Sequence, residues 1–125
     1  MGRAWRDGRG VLWVPGADGG PGVRVPLEIA ASYRARTRGL LGRTGIEGAM
    51  VLTPAGSVHT FGMGFALDVA YLDRGLRVLA VRTMVPGRLG LPRPRSRHVL
   101  EAAAGAMAGW GLRSGVTVAL EPDPG

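Results

Sequence analysis

Cysteine and lysine are both absent from this chain of 125 residues, and aromatic residues make up only 6% of it. Without cysteine, disulfide bonds and thiolate metal sites are excluded. Without lysine, a glycine-rich phosphate loop that ends in lysine is also excluded. The two histidines, His59 and His98, lack the spacing of metal ligands on one helix. We therefore expect neither a metal ion nor a cofactor.

Long apolar runs are missing as well. No segment approaches the ~18 apolar residues that a membrane-spanning helix needs, and residues 1–7 lack the apolar core of a secretion signal. We therefore expect a cytoplasmic protein with no membrane partner.

The charge that is present is strongly positive. Sixteen basic residues, all of them arginine, face nine acidic residues, which gives a net charge of +7. Basic surfaces attract phosphates and other anions, but these arginines are scattered, and the aromatic residues that stack on nucleic-acid bases are few. The composition favours an anionic small molecule or a protein partner over nucleic acid.

Glycine and proline are abundant, with 22 and 9 residues, which indicates many short elements joined by turns. Apolar and polar residues alternate with the period of β-strands. The main predicted elements are a strand at 11–14, a strand at 23–30, a helix at 33–42 capped by Ser32, a hairpin over 67–85 with Gly75 in the left-handed turn position, a basic loop at 86–97, a helix at 102–110 and a last strand at 116–120. We predict a mainly β (α+β) fold, a compact, mostly antiparallel and partly closed sheet or barrel with two short helices.

The domain organisation follows from the same pattern. Residues 1–22 read as an N-terminal strand and a flexible glycine-rich loop, residues 23–121 as a single β-rich domain, and residues 122–125 as a frayed tail.

The stretch 57–73 concentrates the rarest residue types of the chain, including His59, both phenylalanines and the acidic Asp68. We predict that strands at 59–62 and 67–72 pair about Gly64, which would place His59 and Asp68 on one face. A carboxylate beside an imidazole can orient the ring and raise its pKa, as a general base requires. The alternative is that Asp68 accepts backbone amides and that His59 is an ordinary polar strand residue.

Arginines are dense around the first predicted helix, at Arg34, Arg36, Arg38 and Arg43. Their guanidinium groups suit a carboxylate or phosphate ligand. Alternatively, Arg38 or Arg43 pairs with a buried carboxylate such as Asp68 or Glu101, because a buried anion is costly alone.

Three blocks of the sequence together resemble a family of bacterial and archaeal proteins catalogued as domain of unknown function number 192. The blocks are 25–43, then 48–50 with 61–63 and 67–73, and finally 99–101 with 105 and 111–115. The resemblance implies a compact β-rich domain and no established reaction or ligand. This chain departs from the family at two places. Many members have Trp-Met-Lys-Asn-Thr where this chain has Gly62-Met63-Gly64-Phe65. Many members also have an aspartate after the glycine that corresponds to Gly115, where this chain has Val116.

These observations favour a non-catalytic accessory module that binds a ligand or a partner in a shallow pocket with an arginine rim. The candidate binding residues are His59, Phe61, Met63, Asp68, Arg34, Arg38 and Arg43. One alternative is a small hydrolase or lyase that acts on an anionic substrate, with His59 as base and Asp68 orienting it. Another is a nucleic-acid accessory protein that uses Arg88, Arg93, Arg95 and Arg97.

Overall fold

The computed structural model describes residues 5–124. Its elements are β1 (Gly8–Val14), β2 (Val23–Ala30), α1 (Tyr33–Arg38), β3 (Ala49–Leu52), β4 (Leu67–Leu72), β5 (Val78–Met84), β6 (His98–Ala103), α2 (Ala106–Trp110) and β7 (Ala119–Pro122). Residues 1–4 and 125, which belong to the predicted N-terminal segment and C-terminal tail, lie outside the described range. No helix within that range is long and apolar enough to cross a membrane.

The seven strands form one mixed sheet in the order β5-β4-β6-β3-β2-β1-β7. Only β2 and β3 run parallel, and the other neighbouring pairs are antiparallel. At one corner the chain before β7 meets the chain before β5, where the Val118 amide donates to the Leu76 carbonyl at 3.0 Å. The edge strands do not pair along their length, so the sheet is open rather than closed into a barrel. The predicted mainly β, mostly antiparallel fold with two short helices is confirmed.

Both faces of the central strands are covered. Side chains alternate between the two faces along a strand. On β6, Leu100 and Ala102 join a core that contains Met107 of α2, whereas Val99 joins a second core that contains Leu40, just after α1. We call these sides the α2 face and the α1 face. Because both are packed, all six residues of β4 are buried.

The start of α1 is fixed by the residue that the sequence indicates. The Ser32 hydroxyl accepts a hydrogen bond from the Ala35 amide at 3.1 Å, which is the predicted N-cap. Asp7 reinforces this cap, because its carboxylate accepts from the Ser32 amide at 2.8 Å and from the Ser32 hydroxyl at 2.6 Å. The helix ends at Arg38, earlier than the predicted residue 42, because Gly39 adopts a φ of 47° that L-residues rarely take.

The hairpin predicted over 67–85 is confirmed by the antiparallel pairing of β4 with β5. Its turn differs from the prediction, because Leu76 rather than Gly75 has the positive φ, of 68°. The Asp73 carboxylate accepts hydrogen bonds from the amides of Gly75 and Arg77, both at 2.9 Å. These side-chain contacts fix the turn locally.

The predicted pairing of strands 59–62 and 67–72 is wrong. Strand β4 is flanked by β5 and β6 instead. His59 forms only an isolated bridge with Leu89, in the 86–97 loop. The segments before and after Gly64 therefore pair with other parts of the chain and not with each other.

Asp68 explains why the second helix is shorter than the predicted 102–110. One oxygen of its carboxylate accepts a hydrogen bond from the Thr83 hydroxyl at 2.8 Å, and the other accepts from the amides of Gly105 and Met107 at 2.9 and 3.1 Å. These amides belong to the first turn of α2 and have no helical partners. Asp68 therefore fixes the start of α2 at the end of β6, which continues to Ala103. The alternative in which Asp68 accepts backbone amides is the one observed.

We predict that Asp68→Ala lowers the free energy of unfolding by about 3 kcal/mol, because two amides and a hydroxyl lose a buried acceptor. Urea denaturation followed by circular dichroism measures the change. Asp123→Ala, in the exposed C-terminal segment, is the matched control and should leave stability within about 0.5 kcal/mol of wild type. Equal stability of the two variants would show that Asp68 does not hold α2.

Candidate functional site

Glu101 is an acidic residue in the middle of β6 that points to the α1 face. Its direct cross-strand neighbours are Met50 on β3 and Val69 on β4, so no cation lies beside it in the sheet. Only 4% of the residue is exposed. Within residues 5–124 no group hydrogen-bonds to its carboxyl, which borders a cavity instead.

Burial raises the pKa of Glu101 to about 7 from its ordinary value of 4.5. The physical cause is desolvation, since an apolar surrounding disfavours the charged form. A buried carboxyl without a partner is an unusual arrangement in a folded protein. It therefore marks this position as a candidate site.

The cavity beside Glu101 has a volume of about 100 Å³. Its buried walls include Leu40, Val58 and Met63. The backbone of Gly39 forms part of its roof, because a Cβ atom built on Gly39 would lie 3.7 Å from Oε1 of Glu101. The cavity thus combines buried apolar walls with the carboxyl group of Glu101 and with polar side chains.

The exposed residues that line the cavity are polar and mark its opening. They are Thr37, Arg38, Ser57 and His59. The His59 ring stacks on the exposed Phe61 ring, with 5.2 Å between centroids and 23° between planes. The guanidinium of Arg38 makes no ion pair or hydrogen bond with any residue between 5 and 124. It is therefore available to an anionic group at the opening.

The other arginines near α1 have different surroundings. Arg43 forms a two-pronged ion pair with Glu28, with contacts of 2.6 and 2.8 Å, which holds the pKa of Glu28 below its usual range. Arg36 lines the cavity, but its guanidinium donates to the carbonyls of Ala31 and Pro54 at 3.3 and 3.2 Å. Arg34 is exposed and does not line the cavity.

The predicted ion pair of Arg38 or Arg43 with Asp68 or Glu101 is wrong. Glu28 takes Arg43, and among the described residues this is the single salt bridge. Backbone amides and a hydroxyl satisfy Asp68. The carboxyl of Glu101 has neither an arginine nor a hydrogen-bond donor as a partner within residues 5–124.

The predicted pairing of His59 with Asp68 is wrong for a simple geometric reason. Asp68 lies between Leu67 and Val69, which face the α1 core, so it points to the α2 face. His59 lines the cavity on the α1 face. The sheet separates the two side chains.

Of the seven predicted binding residues, the cavity brings together His59, Met63 and Arg38. Phe61 stands beside His59 outside the lining, and Asp68, Arg34 and Arg43 lie elsewhere. For the central residue, Glu101, the sequence predicts only a role as a partner for arginine. Its signal is a single acid within the otherwise apolar segment 99–103.

Metal-ligating side chains do not gather in this region. Residues 5–124 contain no group of three or more histidines and carboxylates close enough to hold an ion.

Comparison with known proteins gives a consistent family. The model of DUF192, described as an uncharacterised family, matches residues 16–120. UPF0127 protein PH1112 of Pyrococcus horikoshii is 31% identical over 84 residues, which is 63% of this chain and 73% of that protein.

Two solved structures share the fold. A protein of unknown function from Novosphingobium aromaticivorans has a TM-score of 0.73 and 24% identity, over 87% of this chain and 83% of its own. A proposed transcription regulator from Sinorhizobium meliloti has a TM-score of 0.78 and 16% identity, over 94% of this chain and 98% of its own. At these identities the likeness concerns the fold alone. With the family model covering most of the sheet and the cavity, this chain belongs to the DUF192 family.

Proposed function

We propose that this protein binds a small organic molecule in the Glu101 cavity without transforming it. The molecule carries a hydrogen-bond donor at one end and an anionic group at the other. The observation that carries the proposal is the buried Glu101 carboxyl, which has no partner within residues 5–124 and borders an apolar recess.

The inner end of the ligand follows from Glu101. A largely buried carboxyl group makes fewer hydrogen bonds than it would make in solution, which costs free energy. A hydroxyl or ammonium group that enters the recess supplies a donor to it. The apolar walls, Leu40, Val58 and Met63, pack against the carbon atoms of the ligand.

The outer end of the ligand follows from Arg38 and His59, which line the opening. A guanidinium binds a carboxylate through two parallel hydrogen bonds. The volume of about 100 Å³ holds a ligand of up to roughly seven to ten heavy atoms, since one water-sized atom needs ~10–15 Å³ of such space. Small 2-hydroxy acids and 2-amino acids carry a hydrogen-bond donor and an anionic group and are small enough for this volume.

Catalysis is a second candidate, favoured by the pKa of about 7 for Glu101 in a cavity that His59 also lines. A group that titrates near neutrality suits general acid and base chemistry. In this form of the hydrolase or lyase hypothesis, Glu101 takes the place of Asp68. Incubation with monomethyl malonate, a small anionic ester, followed by proton NMR distinguishes catalysis from binding alone. Release of methanol that is lost in Glu101→Gln would favour the enzyme, and an unchanged ester favours binding alone.

We predict that lactate and alanine bind to the protein more tightly than propionate, which lacks the donor, and glycerol, which lacks the anion. Saturation-transfer NMR with these four probes measures the affinities. Glu101→Gln should weaken lactate binding about tenfold, because hydrogen bonds to a charged acceptor are worth roughly twice neutral ones. Arg38→Gln should weaken it by a similar factor.

Glu47→Gln and Arg113→Gln are matched controls, because both residues are exposed and neither lines the cavity. They should bind lactate as wild type does. Binding that survives Glu101→Gln unchanged, or four probes that all fail to bind, would overturn the proposal.

A pH dependence of stability follows from the same residue. The pKa of Glu101 is about 7 in the folded protein and 4.5 as its ordinary value, so the folded state holds the proton more tightly. The stabilisation is complete below pH 4.5 and is lost as the pH rises through 7. We predict that the unfolding free energy of wild type relative to Glu101→Gln falls by about 3 kcal/mol across this range.

Urea denaturation of both proteins from pH 4 to pH 8 measures this difference. Burial lowers the pKa of His98, which makes stability rise with pH, but this contribution is common to both proteins and cancels. A difference that stays constant with pH would show that the Glu101 carboxyl is solvated or paired, and would contradict its burial.

A further inference from the structure

A second and larger concavity lies at one end of the α2 face, away from the Glu101 cavity. It consists of a hollow of about 490 Å³ and an adjoining one of about 390 Å³, which share Pro54, Arg74 and Arg97 in their linings. We call the combined space the arginine groove. Its main hollow falls within the ~300–1,000 Å³ of small-molecule sites.

Three arginines converge on this groove from two separate parts of the chain. Arg74 comes from the turn between β4 and β5, and Arg95 and Arg97 come from the segment before β6. All three are exposed, and their guanidinium groups make no hydrogen bond or ion pair with residues 5–124. No acidic side chain within residues 5–124 forms an ion pair with them.

The backbone that presents these arginines is fixed in place. The Arg97 amide donates to the Leu72 carbonyl at 2.8 Å, and its carbonyl accepts from the Ala55 amide at 2.8 Å. The Ser96 hydroxyl donates to the Ala55 carbonyl at 3.0 Å. The nearby acid, Asp73, uses its carboxylate within its own turn. The like charges are thus held near one another by the fold.

The far wall of the groove is aromatic. Trp5 lines it and meets the His98 ring edge to face, with 5.9 Å between centroids and 68° between planes. His98 is buried, and its Nδ1 lies 2.7 Å from the Thr53 hydroxyl oxygen. Pro54 adds a second apolar surface. The groove therefore combines a cationic end with a flat apolar end.

We infer that the arginine groove binds a phosphomonoester of a small organic molecule. The phosphate lies among Arg74, Arg95 and Arg97, and the organic part lies against Trp5 and Pro54. A doubly charged phosphate matches several guanidinium groups better than a single carboxylate does, because each guanidinium can donate two parallel hydrogen bonds to its oxygens. This site is separate from the Glu101 cavity and stands or falls independently of it.

Phenyl phosphate, inorganic phosphate, phenol and a short oligothymidylate are the probes for this site. Each is titrated into the full protein and followed by NMR of the backbone and indole amides. Phenyl phosphate should bind most tightly and shift the Trp5 indole signal. Arg97→Gln and Arg74→Gln should each weaken it about tenfold. Arg24→Gln, at the opposite end of β2 from the groove residue Ala31, is the matched control and should bind as wild type does.

His98 supplies a readout that a purely structural role would not change. Its pKa is lowered by burial and by the positive charge of Arg97, and is raised by Asp73. A phosphate among Arg74, Arg95 and Arg97 favours the protonated imidazole, so saturation with phenyl phosphate should raise the pKa of His98 in an NMR titration. The same titration of Arg97→Gln should show a smaller rise.

The other outcomes overturn the inference in distinct ways. Inorganic phosphate that binds as tightly as phenyl phosphate would remove the role of the organic part. Oligothymidylate that binds more tightly still, and that also depends on Arg88 and Arg93, would assign the surface to nucleic acid. Equal binding by Arg97→Gln and wild type, with both correctly folded by their amide spectra, would show that the groove is not the site.

Discussion

Strands β4 and β6 lie in the middle of a sheet that is packed on both faces, so their side chains are buried whichever way they point. This constraint governs the two acids on these strands. Asp68 points to the α2 face, where it accepts hydrogen bonds from the amides at the start of α2. Glu101 points to the α1 face, where its neighbours are apolar. The same kind of side chain is structural in one direction and a candidate functional group in the other.

Local patterns were enough to predict the elements that depend on local chemistry. The β4–β5 hairpin and the Ser32 cap of α1 are both formed by residues close together in sequence. The pairing at 59–62 was not predictable in this way, because its partner Leu89 is contributed by a loop without periodicity. The length of α2 also depends on a distant residue, Asp68. Long-range contacts override alanine propensity there.

The candidate site was only partly predictable for the same reason. Composition singled out His59, Met63 and Arg38, and all three line the cavity. The sequence does not show which acid joins them, since this depends on strand order and on the face to which each position points. Nor does net charge divide the arginines into those that are neutralised, such as Arg43 beside Glu28, and those that converge without a partner.

One side chain that lines the Glu101 cavity also contacts residues that line the arginine groove. Arg36 lines the Glu101 cavity, while its guanidinium donates to the carbonyls of Ala31 and Pro54, two residues that line the arginine groove. Arg36 therefore ties α1 to the two chain segments that leave the parallel strands β2 and β3.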